Sequence, residues 1–209
     1  MATKLVFHPS DTKFYTEEMI SFEYVQGLAF SQKQKNVDSL RRSILWSHPE
    51  AHVLEVSTKS RDKIGIACSA FNLHIDGHCL ESAFQAGKVF EGVGGFPEAA
   101  NLSPKEARDY VKEHCGAHSL VGFHYMGHDF PLEPKTFFYD WLYVNALVQS
   151  KIDLAYAALY DTFTDIEFNE KKQVNCQARS IAIAVSLQRK GLLEQALKSP
   201  QNFLTIVYR

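Results

Sequence analysis

The chain reads as a helix-rich α+β domain, an orthogonal bundle of helices with a small β-sheet, and three observations predict it. Segments with helical apolar spacing fill most of the sequence, while strand-like runs are few and short. One segment after Pro134 is apolar nearly all round, through Phe137, Phe138, Trp141, Leu142, Val144 and Leu147, so it must lie at the centre of the fold. No repeat, low-complexity tract or Pro/Gly/Ser linker divides the 209 residues, which suit a single domain over 1–209 with a full core.

The elements follow in order. Residues 3–8 and 20–24 read as short strands. Ser31 to Trp46 carries Val37, Leu40, Ile44 and Leu45 at helical spacing and predicts an amphipathic helix. Residues 52–57 and 63–68 read as two strands around the charged turn Ser60-Arg61-Asp62. An Asp76-Gly77 turn leads into a helix carrying Glu81, which the glycines of residues 91–95 end. Ser103-Pro104-Lys105-Glu106 is a capping box with proline at the first helical position, opening a helix to about His114. A strand runs from Val121 to Met126, and the apolar helix opened by Pro134 follows. Leu154 to Tyr160 forms a short helix, residues 163–168 an extended segment, and Asn175 to Lys190 a buried helix. Two short helices close the chain.

Hydrophobic content of 45% and charged content of 22% are ordinary globular values. With a net charge of −2, no global field draws the chain onto a polyanion. DNA contact would have to be local, at Lys33, Lys35, Arg41 and Arg42, at Lys59, Arg61 and Lys63, or at Lys171 and Lys172; each cluster also suits a solvated face. The start MATKLVFHPSD has no signal-peptide apolar run and no stretch is long enough to span a membrane, so a cytoplasmic protein is expected. Cys68, Cys79, Cys115 and Cys176 lack CxxC spacing, as reduced thiols do. His74, Asp76, His78 and Cys79, and likewise His114, Cys115 and His118, match no standard ligand spacing, so no metal is expected. The glycines near 91–95 lack the lysine of a P-loop.

Two clusters carry chemistry. Glu81, Phe84, Gln85 and Lys88 stand at i, i+3, i+4 and i+7, which puts an acid, an aromatic, an amide and an amine in one helical row. That row suits a sugar-binding pocket beside a bond to be broken; a solvated ion-pair row edged by one core phenylalanine is the alternative. In the second cluster, Asp165 and Glu167 share one face of an extended segment and Ile166 and Phe168 the other. Asn175 stands where an N-cap belongs, with Arg179 one turn in. That helix start suits a diphosphate cradle, or simply a capped helix after a polar loop.

Taken together these stretches resemble a known superfamily. Ser-x-Phe-Asn (69–72), Asp-Gly (76–77) and Glu-x-x-Phe-Gln-Ala-x-Lys (81–88) look like the first motif of the NADAR superfamily, whose fold is called YbiA-like. SQKQKN (31–36), LEVSTKS (54–60), LESAFQAGKVFEG (80–92), LEPKTFFYDWLYVNAL (132–147), FTDIEFNEKK (163–172) and VNCQARS (174–180) resemble one branch of it, the NADAR antitoxins paired with DarT-type DNA ADP-ribosyltransferase toxins. Ser82 stands where the wider superfamily has histidine, which favours that branch.

The resemblance implies a cofactor-independent N-glycosidase that removes ADP-ribose from guanine in DNA, with ADP-ribose as product and a DarT-type toxin as possible partner. Glu81 is one catalytic carboxylate, and Asp165 or Glu167 the other. Lys88 is either a desolvated amine that forms a Schiff base with the opened ribose or a fixed cation. Asn72 and Gln85 are candidates for ribose hydroxyls, Ser69 for the same pocket, Phe71 for stacking on a base, and Asn175 with Arg179 for diphosphate. The alternatives are an N-glycosidase acting on free ribosylated small molecules, and a non-catalytic ADP-ribose-binding or toxin-neutralising protein.

Overall fold

The computed structural model describes residues 1–209 and is a helix-rich α+β fold, as expected, with more sheet than the sequence suggests. Strands β1 (Ala2–His8) and β2 (Thr16–Phe22) form an antiparallel pair. β10 (Thr162–Thr164) joins β1 antiparallel and β3 (Val53–Glu55) parallel, giving the order β2-β1-β10-β3. Alternation along these strands sorts side chains between two layers. Val6, Ile20, Phe22 and Val53 pack against Val37, Leu40 and Ile44 of α1 (Phe30–Ser47). Phe7, Leu54 and Phe163 face the main core.

That core is built on α5 (Phe137–Gln149) and α7 (Gln177–Arg189), apolar on most of their circumference and almost wholly buried. Between β3 and α5 lie α2 (Lys63–Ala67), the hairpin β4 (His74–Ile75) and β5 (His78–Cys79), and α3 (Leu80–Ala86). Asp76 (φ 52°) and Gly77 (φ 83°) both take positive φ in the hairpin turn, as a two-residue turn of this kind requires. A second sheet, in the order β7-β6-β8-β9, holds β6 (Lys88–Phe90), β7 (Gly94–Gly95), β8 (Leu120–Tyr125) and β9 (His128–Phe130). Helix α4 (Pro104–Cys115) begins with the expected capping box: Ser103 Oγ accepts from Glu106 N, while Glu106 Oε2 accepts from Ser103 N. Helices α6 (Leu154–Ala157), α8 (Leu193–Leu197) and α9 (Pro200–Tyr208) complete the chain, and no helix is long and apolar enough to cross a membrane.

Four sequence expectations are corrected. Residues 63–67 are a helix, not a strand. Gly65 there packs so close to β3 that a Cβ would meet the Glu55 carbonyl at 2.1 Å. The Glu81 helix ends at Ala86 rather than near residue 91, because Gly87 packs under the Phe138 ring and the chain turns into β6. Lys88 therefore stands on a strand paired with Phe123, not at the end of a helical row. Extended structure stops at Thr164, where Asp165 to Phe168 form a turn closed by Phe168 N–H onto the Asp165 carbonyl at 3.2 Å.

Candidate active site

Helix α3 presents Glu81 and Gln85 toward the start of β6, and the short turn at Gly87 brings Lys88 back over them. The Lys88 ammonium donates to Gln85 Oε1 at 2.6 Å and lies 5.2 Å from the centroid of the Phe84 ring. Glu81 accepts from the Tyr139 hydroxyl at 3.3 Å. Phe84 is fixed between these groups, its ring 5.2 Å from Tyr139 edge-on and 5.9 Å from Phe138 in a stack. Burial raises the Glu81 carboxyl above the usual carboxylate range, against the pull of Tyr139 and Lys88. Burial likewise lowers the Lys88 amine, against the charge of Glu81. Burial thus works against the charged form of both groups, while each group's charge favours the charged form of the other. The amide and the amine meet, with the acid on the same helix, but a helix–turn–strand assembles them and not the single helical row that the spacing predicted.

A second charged cluster lies under the β3–β10 edge. Glu55 is 4% exposed and accepts three hydrogen bonds: Ser57 Oγ at 2.6 Å, Thr164 Oγ1 at 2.6 Å and Ile166 N at 2.9 Å. These last two donors flank Asp165, so Glu55 fixes the strand end that aims it. Asp165 is buried and accepts from the Glu167 and Phe168 amides at 3.0 and 3.2 Å. Burial, reinforced by the Glu55 charge, pushes the Asp165 carboxyl up to about 7; Lys4 and the Gln177 amide pull the other way. Lys4 is itself mostly buried and donates to the Phe168 carbonyl. Its pKa is lowered by burial and supported by Asp165, Glu170 and Glu55.

Tyr139 is buried beside Glu81. Burial first, then the charges of Glu81, Tyr143 and Asp165, push its hydroxyl well above the usual tyrosine range. Gln177 joins the Asp165 cluster to a neighbouring turn. Its side chain faces Asp165, and its Oε1 accepts the Ala70 amide at 2.8 Å, tying the start of α7 to the turn at residues 69–72. That turn closes on buried Ser69, whose carbonyl accepts Asn72 N–H at 2.8 Å and Leu73 N–H at 3.0 Å. It leaves Phe71 56% exposed, and Asn72 Nδ2 is spent on the Ile66 carbonyl at 2.8 Å.

Three other sequence candidates sit differently from their expected roles. Glu167 does not share a face with Asp165; it points outward and pairs with Lys33 at 3.3 Å, because the chain turns where an extended segment was expected. Cys176, not Asn175, is the N-cap of α7, and no side chain caps that helix. Asn175 lies just before it with a buried Oδ1 that meets no donor. Arg179 is buried against Asp140 at 3.2 Å and the Val174 carbonyl at 3.1 Å. Ser180 and Tyr208 donate to the same Asp140 carboxylate, so the guanidinium belongs to a buried network joining α5, α7 and α9.

Sequence reasoning assigned no role to Lys4, Glu55, Tyr139 or Gln177. Glu55 had a readable signal, a lone acid inside the apolar run Val53-Leu54-Glu55-Val56, where a buried strand leaves a charge few harmless positions. Tyr139 had none, since it looks like one more aromatic of the central helix.

No curated protein matches the chain. The family model described as the DarT1-associated NADAR antitoxin matches residues 2–209, nearly the full length. Sequence motifs, α+β fold and this match agree, and the chain belongs to the NADAR family of DarT1-associated antitoxins.

Proposed function

We propose that the chain is an N-glycosidase that removes ADP-ribose from guanine in DNA, and thereby undoes the damage of a DarT1-type toxin. The observation that carries this reading is the gathering of Glu81, Gln85 and Lys88 about Phe84 in one partly buried site, where Lys88 donates to Gln85 at 2.6 Å and Glu81 accepts from Tyr139 at 3.3 Å. A protonated carboxyl is what a departing base nitrogen needs, because breaking the bond from the ribose C1 leaves the electron pair on the base. In this reading Glu81 supplies that proton. Water ends on C1, giving free ADP-ribose and unmodified DNA. Asp165, ionised above about pH 7, is the second carboxylate of this reading and stabilises the positive character that C1 acquires. In this reading Lys88, held by Gln85, adds through its neutral amine to C1 of the opened ribose. The base departs with its bonding electron pair and the proton from Glu81. Water then adds to the resulting Schiff base and releases the Lys88 amine as C1 becomes that of free ADP-ribose.

Gln85, Asn175 and the turn at Ser69 and Asn72 then serve the ribose, with the unpartnered Asn175 Oδ1 an acceptor for a hydroxyl. Exposed Phe71 at the rim is positioned to stack on a base. Arg179 is left out of the diphosphate role, since its charge is committed to Asp140. Glu167 is left at the rim. The test is mass spectrometry of an ADP-ribosyl-guanosine oligonucleotide incubated with the wild type and with Glu81→Ala. Loss of one ADP-ribose with the wild type alone is expected. No loss with either protein contradicts the reading, and parallel assays on free ribosylated nucleosides then identify a small-molecule glycosidase if one is present.

A further inference from the structure

The sheet β2-β1-β10-β3 is covered at one edge and open at the other. At one end β3 is wholly buried, with α2 packed on it through Gly65. At the other end β2 has no neighbour beyond β1, and no backbone group of Thr16 to Phe22 bonds to anything outside the sheet. Alternate N–H and C=O groups along the strand therefore point outward unpaired. Charge commonly blunts such an edge, but β2 carries it at one end only, at Glu17 and Glu18, and Met19-Ile20-Ser21-Phe22 carries none. Helix α1 lies beside this edge and makes it a groove of about 460 Å³. The helix runs opposite to β2, since His48 meets Glu18 at 2.9 Å while Asn36 accepts the Val25 amide at 2.7 Å. It lines the groove with Ser39, Arg42, Ser43, Trp46 and Ser47, one stripe whose serines leave room above the strand. Trp46 is 90% exposed on this face, and Met19, 49% exposed, lies on the other face of the same edge. Arg41 and Arg61 pair with Asp62 and Asp38, whereas Arg42 has no ion-pair partner. An open strand beside a helix is the arrangement that accepts an added strand.

We propose that a second copy of this chain covers the edge, its β2 pairing antiparallel with β2 about a two-fold axis so that the two sheets become one. Such an axis sets residues of like parity opposite each other, because side chains on one face must meet side chains on that face. Centred on Met19, it sets Met19 against itself, Glu18 against the partner's Ile20 and Glu17 against the partner's Ser21. No glutamate of the strand then faces another. Centred on Ile20, it would set Glu17 against the partner's Glu23, a like-charge pair directly opposite and therefore unfavourable. Arg42 stands at the Glu23 end of the groove. Because α1 runs opposite to β2, the Met19 axis carries this unpaired guanidinium toward the partner's Glu18 and lays Trp46 along the partner's strand. Charge and apolar matching thus select both the occupant and its register.

The experiment is sedimentation equilibrium of the wild type, Trp46→Ala and Arg42→Glu over a concentration series, together with oxidative cross-linking of Met19→Cys and Ser21→Cys. The wild type is expected to form a dimer that dissociates on dilution. Trp46→Ala is expected to raise the dimer dissociation constant by roughly thirtyfold or more, as loss of a central aromatic anchor does. Arg42→Glu is expected to weaken the dimer too, with the larger effect at low salt. Met19→Cys is expected to give a disulfide-linked dimer, because directly opposite residues have Cβ atoms only about 4.5–5.5 Å apart. Ser21 and its copy stand about 13 Å apart in this register, so Ser21→Cys is expected to link no more than the wild type, which carries Cys79 and Cys115. A wild type that is monomeric at every concentration overturns the proposal and leaves the edge to an extended segment of another protein. A dimer that Trp46→Ala does not weaken and Met19→Cys does not link uses another face, which overturns it as well. Linking through Ser21→Cys but not Met19→Cys refutes the proposed pairing.

Discussion

Replacing Asp165 by asparagine should make the protein more stable at alkaline pH while disabling its site. The carboxyl has an ordinary pKa of 3.8 and is pushed up to about 7 in the fold, chiefly by burial and then by Glu55. A raised pKa means that the folded protein binds this proton more tightly than the unfolded chain does. The stabilisation it brings is therefore complete below about pH 4, declines as pH rises, and is gone above about pH 7. At ~1.4 kcal/mol for each tenfold, the gap between the two pKa values corresponds to roughly 4 kcal/mol, a ceiling because Glu55 shares the same proton balance. An asparagine at 165 keeps Oδ1 for the Glu167 and Phe168 amides but carries no charge to desolvate. Urea unfolding at pH 4.5 and pH 8 measures the difference. The stability of Asp165→Asn relative to wild type should rise by about 2–4 kcal/mol between those two pH values. A difference that stays constant with pH would show that Asp165 is not a strained buried acid, and the electrostatic account of the site would fail with it.

Other consequences are open to direct measurement. Sodium borohydride added during turnover should trap a covalent adduct on Lys88, located by peptide mass mapping; full turnover without adduct would leave the amine only the role of a fixed cation. Tyr139→Phe removes the hydroxyl that lowers the Glu81 pKa, so the pH at which activity is lost on raising pH should move upward; a downward move would mean that Glu81 is not the proton donor. Gly87→Ala places a Cβ 2.6 Å from Phe138 Cζ and should destabilise the fold by about 1–3 kcal/mol in thermal or urea unfolding, whereas a neutral result would mean that the Phe138 ring yields freely.

The fold was readable wherever a local rule had no rival. Ser103 and Glu106 announce α4 by themselves, and the residues after Pro134 spell out a buried helix through their all-round apolarity. The reading failed where a distant neighbour decided. Residues 63–67 alternate well enough for a strand, but they form a helix whose Gly65 packs on the Glu55 backbone. Arg179 looks like an anion binder until Asp140, 39 residues away, claims its charge. The site divides the same way. Glu81, Gln85 and Lys88 lie within eight residues and could be grouped by spacing, even though Gly87 rather than helical geometry brings the amine round. Lys4 and Glu55 join Asp165 only through the β1-β10-β3 order, a long-range pairing that no short pattern encodes.

The central claim is that Glu81 takes part in cutting ADP-ribose from a DNA base. Its most direct test is single-turnover hydrolysis of an ADP-ribosyl-guanosine oligonucleotide, followed by mass spectrometry, with wild type and Glu81→Gln at equal occupancy by substrate. The rate in the variant is expected to be lower by about 10²–10⁴-fold, with ADP-ribose affinity and unfolding midpoint retained. An unchanged rate in a folded, substrate-bound Glu81→Gln protein would contradict that claim.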